Sequence, residues 1–397
     1  MMASEVDWPA LGAETRPWVP RIPPDLVAAA IRQRHAGPYQ AAIVPAIAHQ
    51  PLQLPSSVLA FAEQAATELT RFDAELGSDI APFAAVLLRS ESASSSMIEN
   101  LTSSAKAIVL AELGETAKRN ATSIVANTRA MRAALDLANH LSPEAILDMH
   151  RALMDGIDPQ AGRWREEQVW IGGTTYGPHD ATFVPPHHEH VHALIDDLTI
   201  FLRRTDLPVL VLAAIAHAQF ETIHPFTDGN GRTGRALVHS LLRGRGLARN
   251  VTVPISAGLL TDTTRYFTAL TDYRNGEPEH IVATFADAAF AATANGRALV
   301  ADLRGIRAHW STVITARRGA SAWTLADLLL RQPIIDAATV AAELGVAPQN
   351  AQRAIAPLVD AGILTEFTGQ QRNRMWQARA VLNAIDEFAD RAGRRAR

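Results

Sequence analysis

The sequence predicts a mostly α-helical protein with one β-hairpin near its middle and a winged helix-turn-helix at its C-terminal end. Three observations carry this expectation. Apolar residues recur at helical spacing through most of residues 56–317. One stretch, R-E-E-Q-V-W-I-G-G-T-T-Y-G-P-H-D-A-T-F-V-P-P, departs from that period and offers two short β-type runs, Gln168–Ile171 and Thr182–Val184, around a Gly/Pro turn. Near the C-terminus, Ala337–Leu344 and Pro348–Asp360 read as two helices around a turn at Gly345–Ala347. Leu364–Phe367 and Arg374–Gln377 then flank the polar turn T-G-Q-Q-R-N as a wing.

Taken in order, residues 1–55 are rich in proline and are expected to form an extended arm with one short helix near Asp25–Arg34. Helical periodicity then marks Ser56–Glu75, Pro82–Leu113, Ala121–Ala138 and Pro143–Met154. After the hairpin it resumes at His187–Arg204, Pro208–Ile223, Arg232–Arg243, Asp262–Tyr273 and Glu279–Arg317. No internal repeat is present, and a boundary is expected near Arg318–Ser321. The expected division is an arm and helix over 1–81, a core over 82–317 and the winged unit over 318–397. In that unit Val340, Leu344, Val346 and Ile355 fit the packing need of a helix-turn-helix.

At 397 residues, 48% of them hydrophobic, the chain can bury two or three cores. The N-terminus has neither a basic start nor an apolar run, and the longest apolar stretch is too short for a bilayer, so a cytoplasmic protein with no membrane partner is expected. Absence of cysteine excludes disulfides, thiol nucleophiles and cysteine-ligated metal. Chemistry must come from histidine, carboxylates, hydroxyls or bound ions. A net charge of −4 excludes bulk attraction to nucleic acid, though not a local basic site.

The densest chemistry lies in H-P-F-T-D-G-N-G-R-T-G-R, from His224 to Arg235. Apolar helical patterns flank it, so it reads as a tight loop feeding a helix N-terminus, where exposed backbone N–H groups form an anion site. Gly229 and Gly231 supply unusual dihedrals, and Asn230 tolerates them. Arg232 and Arg235 lie three apart on the first helical turn, within reach of one polyphosphate. Asp228 offers a hard oxygen ligand for Mg²⁺ beside those phosphates. His224 is the one group of the loop that can take a proton near neutral pH. A base, a metal ligand and a phosphate cradle point to phosphate-ester chemistry on a nucleotide.

The loop matches at every fixed position the signature H-P-F-x-[D/E]-G-N-G-R-x-x-R, and on these residues the chain resembles the Fic family, whose usual activity is AMPylation. The segment A-G-R-W-R-E-E-Q-V-W-I-G-G…F-V-P-P is similar to the family's flap, which holds the target by strand addition; Ala161 stands where the family has proline. The resemblance spans roughly residues 82–290 and implies a Fic-fold helical core. It implies ATP as substrate, Mg²⁺ as cofactor and a protein target with a Ser, Thr or Tyr hydroxyl, the chain itself included. A homodimer stays open as the assembly. His224 would be the base and Asp228 the metal ligand. The nucleotide site would run through Asp228, Gly229, Asn230, Gly231, Arg232, Thr233, Gly234 and Arg235, with Asn230 and Arg232 on the α- and β-phosphates and Arg235 on the γ-phosphate. Tyr266, in R-Y-F-T-A-L, matches a family position near the base. Ser95-Ser96-Met97-Ile98-Glu99-Asn100 fits the family's inhibitory pattern [S/T]-x-x-x-E-[G/N], so Glu99 would occupy Arg235 and hold the enzyme back. Some relatives run the reverse reaction, so deAMPylation stays open.

Two readings compete. His188, Glu189 and His192 satisfy H-E-x-x-H, the zinc-protease pattern, but they open directly after Pro185-Pro186, with no third-ligand pattern downstream. The winged helix could make the protein a DNA-binding regulator through Arg353, Arg372 and Arg374. Against that, nine arginines in residues 320–397 face eight aspartates and glutamates, little surplus for phosphate-backbone binding. Docking of a protein partner is the other role open to it.

Overall fold

In the computed structural model, residues 7–20, 28–76, 80–317, 319–369 and 373–393 are described. In chain order the elements are β1 (Gly12–Arg16), α1 (Ala29–Arg34), β2 (Tyr39–Ile43), α2 (Ser56–Glu75), α3 (Ile80–Ile98), α4 (Ala105–Glu112), α5 (Arg119–Asp136) and α6 (Pro143–Met154). They continue with α7 (Val191–Phe201), α8 (Val209–Ile223), α9 (Asn230–Gly244), α10 (Ile255–Leu260), α11 (Thr263–Arg274), α12 (Glu279–Val313) and α13 (Ser321–Arg331). The chain closes with β3 (Ile334–Asp336), α14 (Ala337–Leu344), α15 (Ala351–Asp360), β4 (Thr365–Glu366), β5 (Met375–Gln377) and α16 (Arg379–Gly393). The mostly helical class is as expected. By packing, the chain divides into two compact units. The first is built from 1–64, 130–245 and 264–286, the second from 65–129, 246–263 and 287–397.

The first unit is organised on α8. Its sequence, V-L-V-L-A-A-I-A-H-A-Q-F-E-T-I, is apolar on nearly every face, and every residue from Leu210 to Ile223 is buried. A helix of that composition must be surrounded. α9 and α7 pack beside it, and α6 packs against α9 and α7. Gly234 lets α9 approach closely, since a Cβ there would stand 2.8 Å from Glu221 Oε1 and 2.9 Å from Phe220. The arm is more ordered than its prolines suggest, because β1 and β2 pair antiparallel from Gly12↔Ile43 to Arg16↔Tyr39. The N–H of Ala42 donates to the carbonyl of Val184 at 3.1 Å, tying the arm to the segment expected as a hairpin. The expected helix start at Asp25 lies outside the described residues.

The expected hairpin shrinks to one antiparallel bridge, Ile171↔Phe183. Gly172 and Gly173 both adopt positive φ (75° and 71°) and turn the chain away from the pleat just after the bridge. The returning side then makes a single 3-10 turn, Pro178–Asp180, before the chain comes back to Phe183.

In the second unit α3 packs against α10, α13 and α16. Buried Glu91 on α3 accepts hydrogen bonds from Ser256 N at 2.9 Å and Ser256 Oγ at 2.5 Å. Arg89 makes a fork with Glu112 at 3.0 and 2.8 Å and donates to the carbonyl of Arg331. The single helix expected over Pro82–Leu113 is broken into α3 and α4. Asn100 takes a left-handed φ of 63°, and Ser104 restarts the helix as its N-cap. α16 was not anticipated, yet it buries Val381, Leu382, Ile385 and Phe388. We expect Phe388→Ala to cost about 3–5 kcal/mol, read as a loss in denaturant unfolding of this unit. A change within 0.5 kcal/mol would contradict the packing described.

The terminal helices α14 and α15 fall where the sequence places them, with Gly345 at φ 63° in the turn and a single 3-10 turn at Pro348–Asn350 leading into α15. A three-stranded sheet of order β3-β5-β4 stands beside them, β3 being an addition to the expected wing. Val340 and Ile355 are buried, but Val346 is 37% exposed. Of the arginines read as a DNA patch, Arg374 pairs with Glu366 at 3.4 Å and lies over the Trp376 ring, and Arg372 lies outside the described residues. Among the described residues no helix is long and apolar enough to cross a membrane.

Candidate active site

The loop joining α8 to α9 lies wholly in the first unit. α8 stops at His224, which takes a left-handed conformation (φ 50°, ψ 61°). A bulky residue there is held at a cost of order 1–3 kcal/mol, so the surroundings must impose it. They do so through Arg165, whose Nε donates to the His224 carbonyl at 2.8 Å. The rest of that guanidinium donates to the carbonyls of Glu167, Pro186 and Ile223. One buried cation thus fixes the end of α8 and the start of the flap segment together. Burial lowers its own pKa to about 10.

Burial pushes the His224 imidazole down to a pKa of about 3, with Arg165 and Arg274 pushing the same way and the Glu221 carbonyl opposing them. At neutral pH the ring is therefore a neutral base, set among cations that suit an anionic ligand.

After His224, the loop is closed by Asn230. Its Oδ1 accepts from Phe226 N at 2.9 Å and its Nδ2 donates to the Phe226 carbonyl at 2.8 Å. Asn230 is expected from the sequence to help orient the α- and β-phosphates. With its amide on Phe226, Asn230 has its main-chain N–H to offer an anion. Gly229 at φ 75° turns the chain into α9, whose N-terminus has no side-chain cap. Uncapped N–H groups on a helix of this length make an anion site when cations lie beside them, and Arg232 and Arg235 lie buried on the first two turns. Asp228 is two-thirds exposed. Its Oδ1 accepts from Gly229 N at 2.6 Å and lies 3.5 Å from Arg232. Both contacts use one oxygen, so the second can serve a hard cation. An oxygen of this kind is the hard donor that Mg²⁺ takes when phosphates supply most of its other ligands.

Tyr266 is buried on α11 and meets His217 Nε2 through its hydroxyl at 2.7 Å. His217 lies two helical turns before His224 on α8, and burial also takes its pKa down to about 3. Glu99 sits in the second unit, just beyond the end of α3, with its N–H on the Ser96 carbonyl. The α3 end is anchored by Asn127, whose Nδ2 donates to the Ser92 carbonyl and to Ser96 Oγ.

The residues of the zinc-protease pattern do not converge. Glu189 pairs with Arg16 at 3.3 Å and with His187, while His192 packs edge-on to Trp164. Among the described residues, the only metal-type cluster is Asp272, Glu277 and His280.

Two buried histidines, His150 and His217, and the half-buried His224 make a prediction for stability. His150, His217 and His224 stay neutral in the native protein down to about pH 4, 3 and 3, whereas unfolded histidine takes a proton near 6.5. Above pH 6.5 they contribute nothing to pH dependence. Below it the unfolded chain binds protons the native state refuses, so stability falls as pH drops toward 4, by up to about 1.4 kcal/mol per pH unit for each ring. A melting temperature unchanged between pH 7 and pH 5 would contradict this.

A half-buried histidine, neutral at ordinary pH, thus stands at the head of an uncapped helix N-terminus that carries two buried arginines. Residues 140–242, which contain the whole loop, match the Fic/DOC family. Protein adenylyltransferase fic-1 of Caenorhabditis elegans is 35% identical over 112 residues, covering 27% of this chain and 20% of that one. Protein adenylyltransferase Fic of Aedes aegypti is 39% identical over 103 residues, 25% of this chain and 19% of that one. A solved Fic family protein from Desulfovibrio desulfuricans G20 shares the fold at a TM-score of 0.50 and 18% identity, over 83% of this chain and 97% of that one. Over residues 140–242 the chain is similar to the Fic/DOC family. It spans about a fifth of the length of the curated relatives it matches.

Proposed function

We propose that the protein is an adenylyltransferase that moves AMP from ATP to a Ser, Thr or Tyr hydroxyl of a protein, with Glu99 as its brake. The single observation that best supports this is the neutral His224 held in a strained conformation at the head of the uncapped α9 N-terminus. His224 takes the hydroxyl proton of the target. The oxygen attacks the α-phosphorus of ATP, the α–β phosphoanhydride bond breaks and pyrophosphate leaves. Main-chain N–H groups of residues 230–232 and the Arg232 guanidinium face the charge that develops on the phosphate oxygens. Arg235 holds the γ-phosphate, and Tyr266 acts from the core. Asp228 would hold Mg²⁺, which when bound neutralises phosphate charge.

Glu99 is proposed to pair with Arg235 and take the place of the γ-phosphate. The segment of Gln168–Val184 is proposed to present the target, and the terminal helix-turn-helix to dock a protein partner. The arm, core and terminal unit keep these separate roles, and the reaction is placed in the cytoplasm. Mass spectrometry of a lysate incubated with ATP and the Glu99→Gly protein tests the proposal. AMP adducts on hydroxyl side chains are expected. Removal of AMP from a pre-modified protein, without any addition, would assign the reverse reaction instead.

A further inference from the structure

His150 lies on α6 and is completely buried, in a part of the first unit that the loop signature does not include. Its ring stacks on Phe226 of the loop at a centroid distance of 3.7 Å and an interplanar angle of 5°. Both ring nitrogens are used. Gly162 N–H donates to Nδ1 at 3.0 Å, and Nε2 lies 3.1 Å from the Asp228 carbonyl. An accepting Nδ1 leaves the proton on Nε2, which donates to that carbonyl. The tautomer is thus set by its neighbours, and the ring bridges the entry to the flap segment and the peptide that opens α9.

That peptide matters because of what lies on either side of it. The carbonyl of Asp228 and the N–H of Gly229 belong to one rigid plane. Gly229 sits at φ 75°, and a Cβ there would come to 3.0 Å of Leu153, 3.2 Å of Met154 and 3.6 Å of His150. Glycine carries little barrier against rotation of such a plane, so an outside group is required to hold it. A second tie runs beside the first, from Thr227 Oγ1 to Asp158 Oδ2 at 3.2 Å.

We infer that His150 is a positioning residue of the phosphate loop: through Nε2 it locks the 228–229 peptide plane, and with it the Asp228 carboxylate, whose Oδ1 the Gly229 N–H of that plane holds at 2.6 Å. The role rests on the adenylyl-transfer reading. Its energetic signature differs from that of a core residue. A plane that is merely misdirected still lets the arginines hold the polyphosphate, so binding survives while the rate of the chemical step falls.

Two amides separate the two bonds of the ring. Glutamine places an amide nitrogen near the position of Nε2 and can keep the bond to the Asp228 carbonyl. Asparagine reaches only the position of Nδ1 and can keep only the bond to Gly162. In the Glu99→Gly background, His150→Gln is expected to hold kcat for AMP transfer within about three-fold. His150→Asn is expected to lower kcat by about 10²-fold, with KM for ATP changed by no more than a few-fold. His150→Phe keeps the stacking on Phe226, and it should behave like His150→Asn.

Two measurements stand apart from transfer. In ¹⁵N spectra of the unliganded protein, His150 should show the Nε2–H tautomer, and the Gly229 amide should move in His150→Asn but stay in place in His150→Gln. Equal losses of kcat in all three variants, in step with their melting temperatures, would make His150 a structural residue and overturn the inference. So would a Gly229 amide indifferent to His150→Asn. If the Glu99→Gly reference transfers no AMP, the adenylyl-transfer reading fails, and the Gly229 amide still decides whether His150 holds the plane.

Discussion

His224→Ala is expected to abolish AMP transfer while ATP affinity stays within a few-fold of the parent. The asymmetry follows from where the side chain acts. The imidazole is held neutral by burial and by Arg165 and Arg274, so it has no charge to offer the polyphosphate and one lone pair to offer a hydroxyl. Its loss removes general-base help, typically 10²–10⁴-fold. It also releases the left-handed turn that aligns the loop, which adds a misplacement term of similar order. The nucleotide keeps Arg232, Arg235 and the α9 N–H groups, which the substitution does not touch. Isothermal titration with ATP and label transfer read the two quantities separately. Undiminished labelling by His224→Ala would remove the residue from the mechanism.

The second large effect runs the other way. Glu99→Gly is expected to raise AMP transfer sharply, although the catalytic loop is unaltered. If Glu99 holds Arg235, removing the carboxylate returns the guanidinium to the γ-phosphate. A charge-assisted pair contributes roughly 1.5–3 kcal/mol, and a misplaced α-phosphate costs about 10²-fold in rate. Adding Arg235→Ala to Glu99→Gly should cancel the gain, because the released side chain is what the substrate uses. If Glu99 only stabilised the end of α3, the two substitutions would act independently. A gain that survives Arg235→Ala would therefore break the proposed pairing. Slower removal of AMP from a modified target by Glu99→Gly would instead assign the carboxylate to water activation.

How much of this is legible in the sequence depends on whether the cause is local. α6 is bounded by a Ser142 cap and a proline at its first turn, and its predicted span, Pro143–Met154, is the observed one. α14 is equally well marked, by Asp336 capping Thr339 at one end and Gly345 at the other. The break between α3 and α4 turns on a single left-handed Asn100, which apolar periodicity alone does not register. α13 begins at Ser321, and Ala320 before it has no side chain to cap it, so its start carries no signal. β1 is a mostly polar strand and β2 a short mixed one, paired from Gly12↔Ile43 to Arg16↔Tyr39, and the ladder that makes them strands is not written in either one.

The site divides in the same way. His224, Asp228 and the two arginines share one short loop, so their chemistry could be read together. His150, Asp158 and Arg165 act on that loop from more than fifty residues away, through bonds to its backbone or to Thr227. Backbone carbonyls have no residue identity, so no spacing pattern announces them. The glycine after Ala161 and the arginine after Trp164 were visible, but only as part of the flap pattern.

In the proposed reaction the phosphorus attacked is the α-phosphorus of ATP. Incubating the Glu99→Gly protein with ATP labelled at the α-phosphate, and in parallel at the γ-phosphate, tests it most directly. Protein-bound label is expected from the α position alone, and it should disappear with His224→Ala. Label arriving from the γ position, or from neither, would contradict it.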